Sequence, residues 1–294
     1  MTMQVDRTAP DGWPSVVTMH VDRVSTRCGP VVVRWLLGLM WLSNVNWKVP
    51  TEFGALRGYS QAGVDHPVVP GSAWFFENVV LEQIGLFGWL TLFVEVGVAA
   101  ALLSGRFLRT AAIVSAAQAI GIGLAVANAP HEWYWAYLLM VGLSVAVLVQ
   151  APRDRGQSPR SMGAIVMAYG LLVAVTNAGA GFLGDGNATR TLFTGRNDIP
   201  DEFGVSVFPG SIALGLVYVA LGSGVWALGR ASEEVRRVVG WSAVALAAVM
   251  LLTYRAEPDT LVIDLGSRAV HCGVLAALGL SLLPRAAPVS QPAP

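Results

Sequence analysis

From Ile84 to Ser104 this chain places a single ionisable side chain, Glu95, among apolar and small residues. Runs of this kind recur along all 294 residues. They constrain the fold more than any motif does, because an uncharged stretch of about twenty residues is what a helix needs to cross a bilayer. Charged residues make up 13% of the chain and the mean hydropathy is +0.57, about half the charge of an ordinary soluble domain. So little charge cannot cover a soluble surface of this size. No alternating strand pattern appears, and in lipid the backbone must satisfy its own hydrogen bonds, which leaves helices. The sequence therefore predicts an all-α polytopic membrane protein. A net charge of zero without any basic run gives no basis for a nucleic-acid partner.

The apolar runs place candidate spans near 31–47, 83–104, 108–127, 133–151, 162–182, 212–229, 238–254 and 268–284. Arginine placement orients them. With the N-terminus cytoplasmic, thirteen positive residues fall in inside segments and six outside, as the positive-inside rule requires. Eight spans put both termini in the cytoplasm. Residues 1–29 read as a cytoplasmic tail with no signal-peptide core, 153–161 as a cytoplasmic linker, and 285–294 as a disordered Pro/Ala-rich tail. A single lysine against eighteen arginines, with heavy Ala, Gly and Val use, points to a bacterial chain. The expected location is the bacterial cytoplasmic membrane.

Two short elements repeat. Val49-Pro50-Thr51-Glu52-Phe53-Gly54 is echoed by Ile199-Pro200-Asp201-Glu202-Phe203-Gly204, and Val68-Val69-Pro70-Gly71-Ser72 by Val207-Phe208-Pro209-Gly210-Ser211. Each pair lies in the long outer connection of its half, near 48–82 and 183–211. The expected architecture is two parallel four-helix repeats, 30–152 and 162–284, related by an axis along the membrane normal. Ser72 to Asn78 mixes aromatic and polar residues as an interfacial helix does.

Glu95 would lie about 15 Å from the cytoplasmic end of its span, near the bilayer centre. An ionisable group there is costly and marks a functional site by default, or else a hydrogen-bonded packing residue inside the bundle. Asn44 and Lys48 are four apart on one helix face, with Trp41 one turn back. Lys48 either snorkels beside Trp47 at the outer interface or joins Asn44 in offering donors to a carbonyl-bearing or anionic ligand. Asp198 occupies the matching position in the second half, so a Lys48–Asp198 contact is one expectation. Glu52, His66, His131 and Glu202 are further candidates in the outer loops, where His131-Glu132 beside Trp133 and Trp135 suits either proton handling or an aromatic belt. His271 beside Cys272 reads as packing. No His or Cys spacing supports a metal or haem site, and the two cysteines form no redox pair. Small-residue patches at Gly121-Ile122-Gly123 and Gly222-Ser223-Gly224 suit close helix packing.

The first half resembles the DoxX/DoxD family of small four-helix membrane proteins. The resemblance rests on Arg34-Trp35-Leu36-Leu37-Gly38 with Lys48 closing the first span, on Glu95 followed by Leu102-Leu103-Ser104-Gly105-Arg106, and on Trp133 to Leu148. It covers residues 30–152. In the second half Gly229-Arg230 matches the turn, while Tyr218 stands roughly where the acid is expected. The family resemblance implies an accessory membrane subunit of quinone-linked oxidation of reduced sulfur, or a member of a redox-stress complex. The ligand site would then be Asn44, Lys48, Glu82 and Glu95, with a bound quinone, no intrinsic cofactor, and a protein partner in the membrane. A non-catalytic scaffold docking a partner through the outer loops and a small-solute transporter are the other readings of the same residues. The sequence assigns no catalytic residue.

Overall fold

A computed structural model describes residues 15–45, 48, 53–129, 134–151, 156–176, 212–253 and 268–284. The elements among these residues are all helices joined by turns, with no strand among them. In chain order the helices are α1 (Ser15–Asn44), α2 (Gly54–Asp65), α3 (Ser72–Phe75) running into a π-helical turn (Phe76–Leu81), and α4 (Ile84–Ser104). They continue with α5 (Leu108–Val126), α6 (Tyr134–Gln150), α7 (Pro159–Thr176), α8 (Ile212–Leu228), α9 (Glu233–Leu252) and α10 (Arg268–Leu282). Every apolar run of the sequence carries a helix. By length and composition α4, α5 and α9 are sufficient to cross a membrane, and α6, α7, α8 and α10 are shorter apolar helices.

Boundaries moved where apolarity was a poor guide to helix ends. Helix α1 begins at Ser15, well before the apolar run at 31, and continues through Pro30. Part of the segment expected as a tail is thus helix. Helix α9 starts at Glu233 because the Ser232 hydroxyl accepts the Val235 N–H and two glutamates follow in the first turn, where the helix dipole favours acids. The long connection 48–82 is a folded cap. Phe53, Leu56, Phe76 and Val80 pack there against Ile84 of α4 and against Ala125 and Val126 of α5. The Phe53 ring lies directly over Gly88, where any added Cβ would approach it within 2.5 Å.

Helix α4 is central, with thirteen buried residues. Helices α1, α4, α5 and α6 close a ring, in which α1 touches α4 and α6 while α5 touches the same two from the other side. Helix α7 pairs with α8 and α9 with α10, and α10 lies against α4. Helices α8 and α9 hardly touch despite their short connection, so the halves share helix order and not packing. Leu246, Val249 and Leu252 of α9 are more than half exposed, and α9 buries only Gly240, Ala247 and Leu251. An apolar helix with so much exposed surface needs lipid or a partner around it.

Candidate functional site

Antiparallel packing of α1 on α4 sets the site. At one end, the buried Arg34 of α1 donates from Nη1 to the carbonyls of Leu102 (2.6 Å) and Leu103 (3.0 Å). These are last-turn carbonyls of α4, of which Leu102 also accepts the Gly105 N–H at 3.3 Å, and a guanidinium there meets the negative end of the helix dipole. Gly105, with φ +71°, then turns the chain toward α5. From Arg34 to Asn44 the helix rises about 15 Å and then stops. It ends beside Glu95, halfway along α4.

Here the buried charges meet. The Lys48 ammonium donates to Glu95 Oε2 at 2.6 Å, and the Asn44 carboxamide donates from Nδ2 to Oε1 at 3.1 Å. The Gln118 side chain of α5 hydrogen-bonds the same carboxylate. Lys48 Nζ also donates to the Asn44 carbonyl at 3.1 Å, closing the end of α1. The Lys48 and Glu95 side chains are 1% and 0% exposed. That burial decides between the two expectations for Lys48: it does not snorkel outward, and its charge turns into the bundle. One ammonium and two carboxamides around one carboxylate form a compact hydrogen-bonding unit in apolar surroundings.

One turn away lies a second polar layer. The Trp41 Nε1–H donates to Ser115 Oγ at 2.7 Å, Ser115 and Ser144 share a hydroxyl contact of 2.7 Å, and Ser144 donates to the Met140 carbonyl at 2.7 Å. Since the single Ser144 proton is used on Met140, Ser115 must be the donor to Ser144, so the chain has one direction. Trp41 and Asn44 are three apart on α1, as Ser115 and Gln118 are on α5. The two helices thus present their polar pairs in matching layers. Trp41→Phe should cost about 1–2 kcal/mol, the usual loss for a buried hydrogen bond that orphans its partner, read as a lowered unfolding midpoint in mild detergent. An unchanged midpoint would contradict a structural role for the Trp41–Ser115 bond.

Comparisons with protein-family models, curated proteins and solved structures found no match to this chain. The site is therefore read from its own residues.

Among the sequence candidates, the structure brings together Asn44, Lys48 and Glu95. Glu82 is exposed in the turn before α4, about 20 Å along the chain from Glu95 at helical rise, and takes no part in the cluster. His66 is exposed at the end of α2, where its N–H caps the Ala62 carbonyl. Glu52, His131, Asp198 and Glu202 lie outside the described residues, as do the second outer connection and its repeat elements. Among the described residues no group of three or more His, Cys, Asp or Glu side chains is placed to hold a metal ion. Sequence reasoning missed Arg34 as a buried cap, and Gln118, Ser115 and Ser144 altogether. A polar residue inside an apolar run was the available signal.

The second half buries a different polar group. Tyr218 of α8 hydrogen-bonds Nδ1 of His271 on α10, and Tyr169 of α7 meets the Tyr218 ring edge-on at 5.1 Å between centroids. Tyr218, at the position where the acid was expected, thus belongs to an aromatic cluster with no carboxylate in it among the described residues.

Proposed function

We propose that this chain is a multi-pass protein of a bacterial cytoplasmic membrane, with eight spanning helices and cytoplasmic termini, that binds a quinone-like ligand in its first half. In this reading it serves a redox partner as a DoxX/DoxD-like accessory subunit. The observation that carries the proposal is the Lys48–Glu95 pair at the broken end of α1. Helices that end inside a bundle form polar ligand sites, because their last backbone groups and neighbouring charges face the interior. The donor set suits a carbonyl-bearing ring. With a quinone bound, Lys48 and Asn44 would hold its carbonyl oxygens, Gln118 would steady Glu95, and Glu95 would take up or give a proton. The redox chemistry is the quinone's own and its partner's.

A second reading keeps the fold without the ligand. Trp74, Phe75 and Tyr59 are exposed on the cap, a surface that suits docking of a partner protein.

Purification in mild detergent followed by lipid extraction separates these readings. The proposal expects stoichiometric quinone with the wild-type chain and its loss with Asn44→Leu, which leaves the Lys48–Glu95 pair in place. A partner protein with no quinone favours the scaffold. Proton-coupled solute uptake into vesicles that Glu95→Gln abolishes favours transport, and either outcome overturns quinone binding.

A further inference from the structure

A cavity of about 400 Å³ opens where α4 turns into α5, α7 begins, α8 turns into α9 and α10 ends; Arg106, Ser158, Arg160, Arg236 and Ser281 line it. Three of its side chains are arginines and none is acidic. Arg106 is held in place, donating from its guanidinium to the carbonyls of Leu283 and Pro284. Arg236 has a buried Nε without a hydrogen-bond partner among the described residues. Arg160 lies over the Trp226 ring at 5.9 Å, and Arg230 shares that ring at 5.4 Å. Of the two glutamates that open α9, Glu233 pairs with Arg237 at 3.0 Å, and neither lines the cavity. A hollow lined by three arginines, one of them with a donor left over, suits an anion with several acceptor oxygens.

We propose that this cavity binds the phosphate group of an anionic phospholipid from the cytoplasmic leaflet. A phosphate could also arrive free in solution, but the surroundings favour a lipid. Phe107 and Val235, next in sequence to Arg106 and Arg236, are exposed, as is Val238, and offer apolar surface to an acyl chain. The end concerned is also the one that the arginine bias places inside, where anionic lipids meet basic pockets between helices. The inference rests on the membrane orientation proposed above and is independent of the quinone site.

The test is native mass spectrometry of the full chain released from vesicles of mixed phosphatidylglycerol and phosphatidylethanolamine. The wild type should retain phosphatidylglycerol selectively. The double variant Arg160→Gln/Arg236→Gln should hold it roughly thirtyfold more weakly, from the usual effect of each arginine on an anionic lipid, while Arg57→Gln should not change it. Equal retention of both lipids by the wild type overturns the proposal even if the double variant fails to fold. So does unchanged retention by a folded double variant, or displacement of the lipid by millimolar inorganic phosphate, which would identify a soluble anion as the ligand. A chain that does not fractionate with membranes fails the orientation instead, whereas a membrane-bound chain without lipid selectivity fails this inference alone.

Discussion

Glu95→Gln should lower stability by about 3–5 kcal/mol, the usual result of removing one member of a buried ion pair. The magnitude follows from what remains. With Glu95 neutral, the Lys48 ammonium stays 1% exposed and is left with amide and carbonyl partners among the described residues, so its lost hydration is no longer offset by the Glu95 charge. Lys48→Met should cost a similar amount by stranding the carboxylate. The double variant Lys48→Met/Glu95→Leu should recover most of the loss, since an apolar pair of similar volume can match a buried ion pair. Denaturant titration of the four proteins in mild detergent gives the coupling energy. If the single variants lose less than about 1 kcal/mol, as exposed pairs do, the pair is not sealed from solvent in the working protein. Near-neutral behaviour of the double variant would also show that the charges are not kept for stability, which is what a ligand or proton site requires.

Gly170→Leu should separate α7 from α8 at a cost of about 3 kcal/mol, the upper end of the range for overpacking. The two helices touch backbone to backbone at two points seven residues apart. A Cβ at Gly170 would lie 2.5 Å from the Gly215 carbonyl oxygen, and one at Gly163 would lie 2.5 Å from that of Gly222. The nearest atoms are backbone, with only the fixed Cβ atoms of Tyr218 and Trp226 beside them, so a whole helix must move. Gly224→Leu is the comparison: it lies on the facing helix α8 with nothing within 4 Å of its Cβ position, and it should be close to neutral. Equal effects at 170 and 224 would mean that the glycines are a composition bias with no packing function. The small-residue patch at 222–224 was visible in the sequence, but only the paired structure shows that Gly222 is the residue in contact.

How much of the site was legible depended on how local its physics is. Glu95 stood out because a lone acid in an apolar run is costly wherever the helix points. Asn44 and Lys48 could be placed on one face by helical spacing alone. The direction of Lys48 could not be read, because a lysine at the end of an apolar run can turn outward to water or inward to a buried acid. The choice depends on the neighbour supplied by α4, far along the chain. Gln118, Ser115 and Ser144 were passed over for the same reason, since a single polar residue in a helix has meaning only once its facing helix is known. Arg34 is by sequence one of the thirteen inside positive residues, whereas its partners are the Leu102 and Leu103 carbonyls at the end of α4, which no sequence pattern marks.

By itself, the sequence determined that this protein is helical and apolar enough to belong in a membrane, which apolar runs form helices, and that one of them carries a lone acid. These follow from hydrogen bonding in lipid and from the cost of buried charge, both properties of short segments. Only the tertiary structure decided that α1 stops halfway along α4, that Lys48 turns inward to Glu95, and that the second half packs around Tyr218 and His271. Those outcomes depend on which helices are neighbours, and pairing between distant segments is set by the fit of whole surfaces and by the few polar groups that must find partners there.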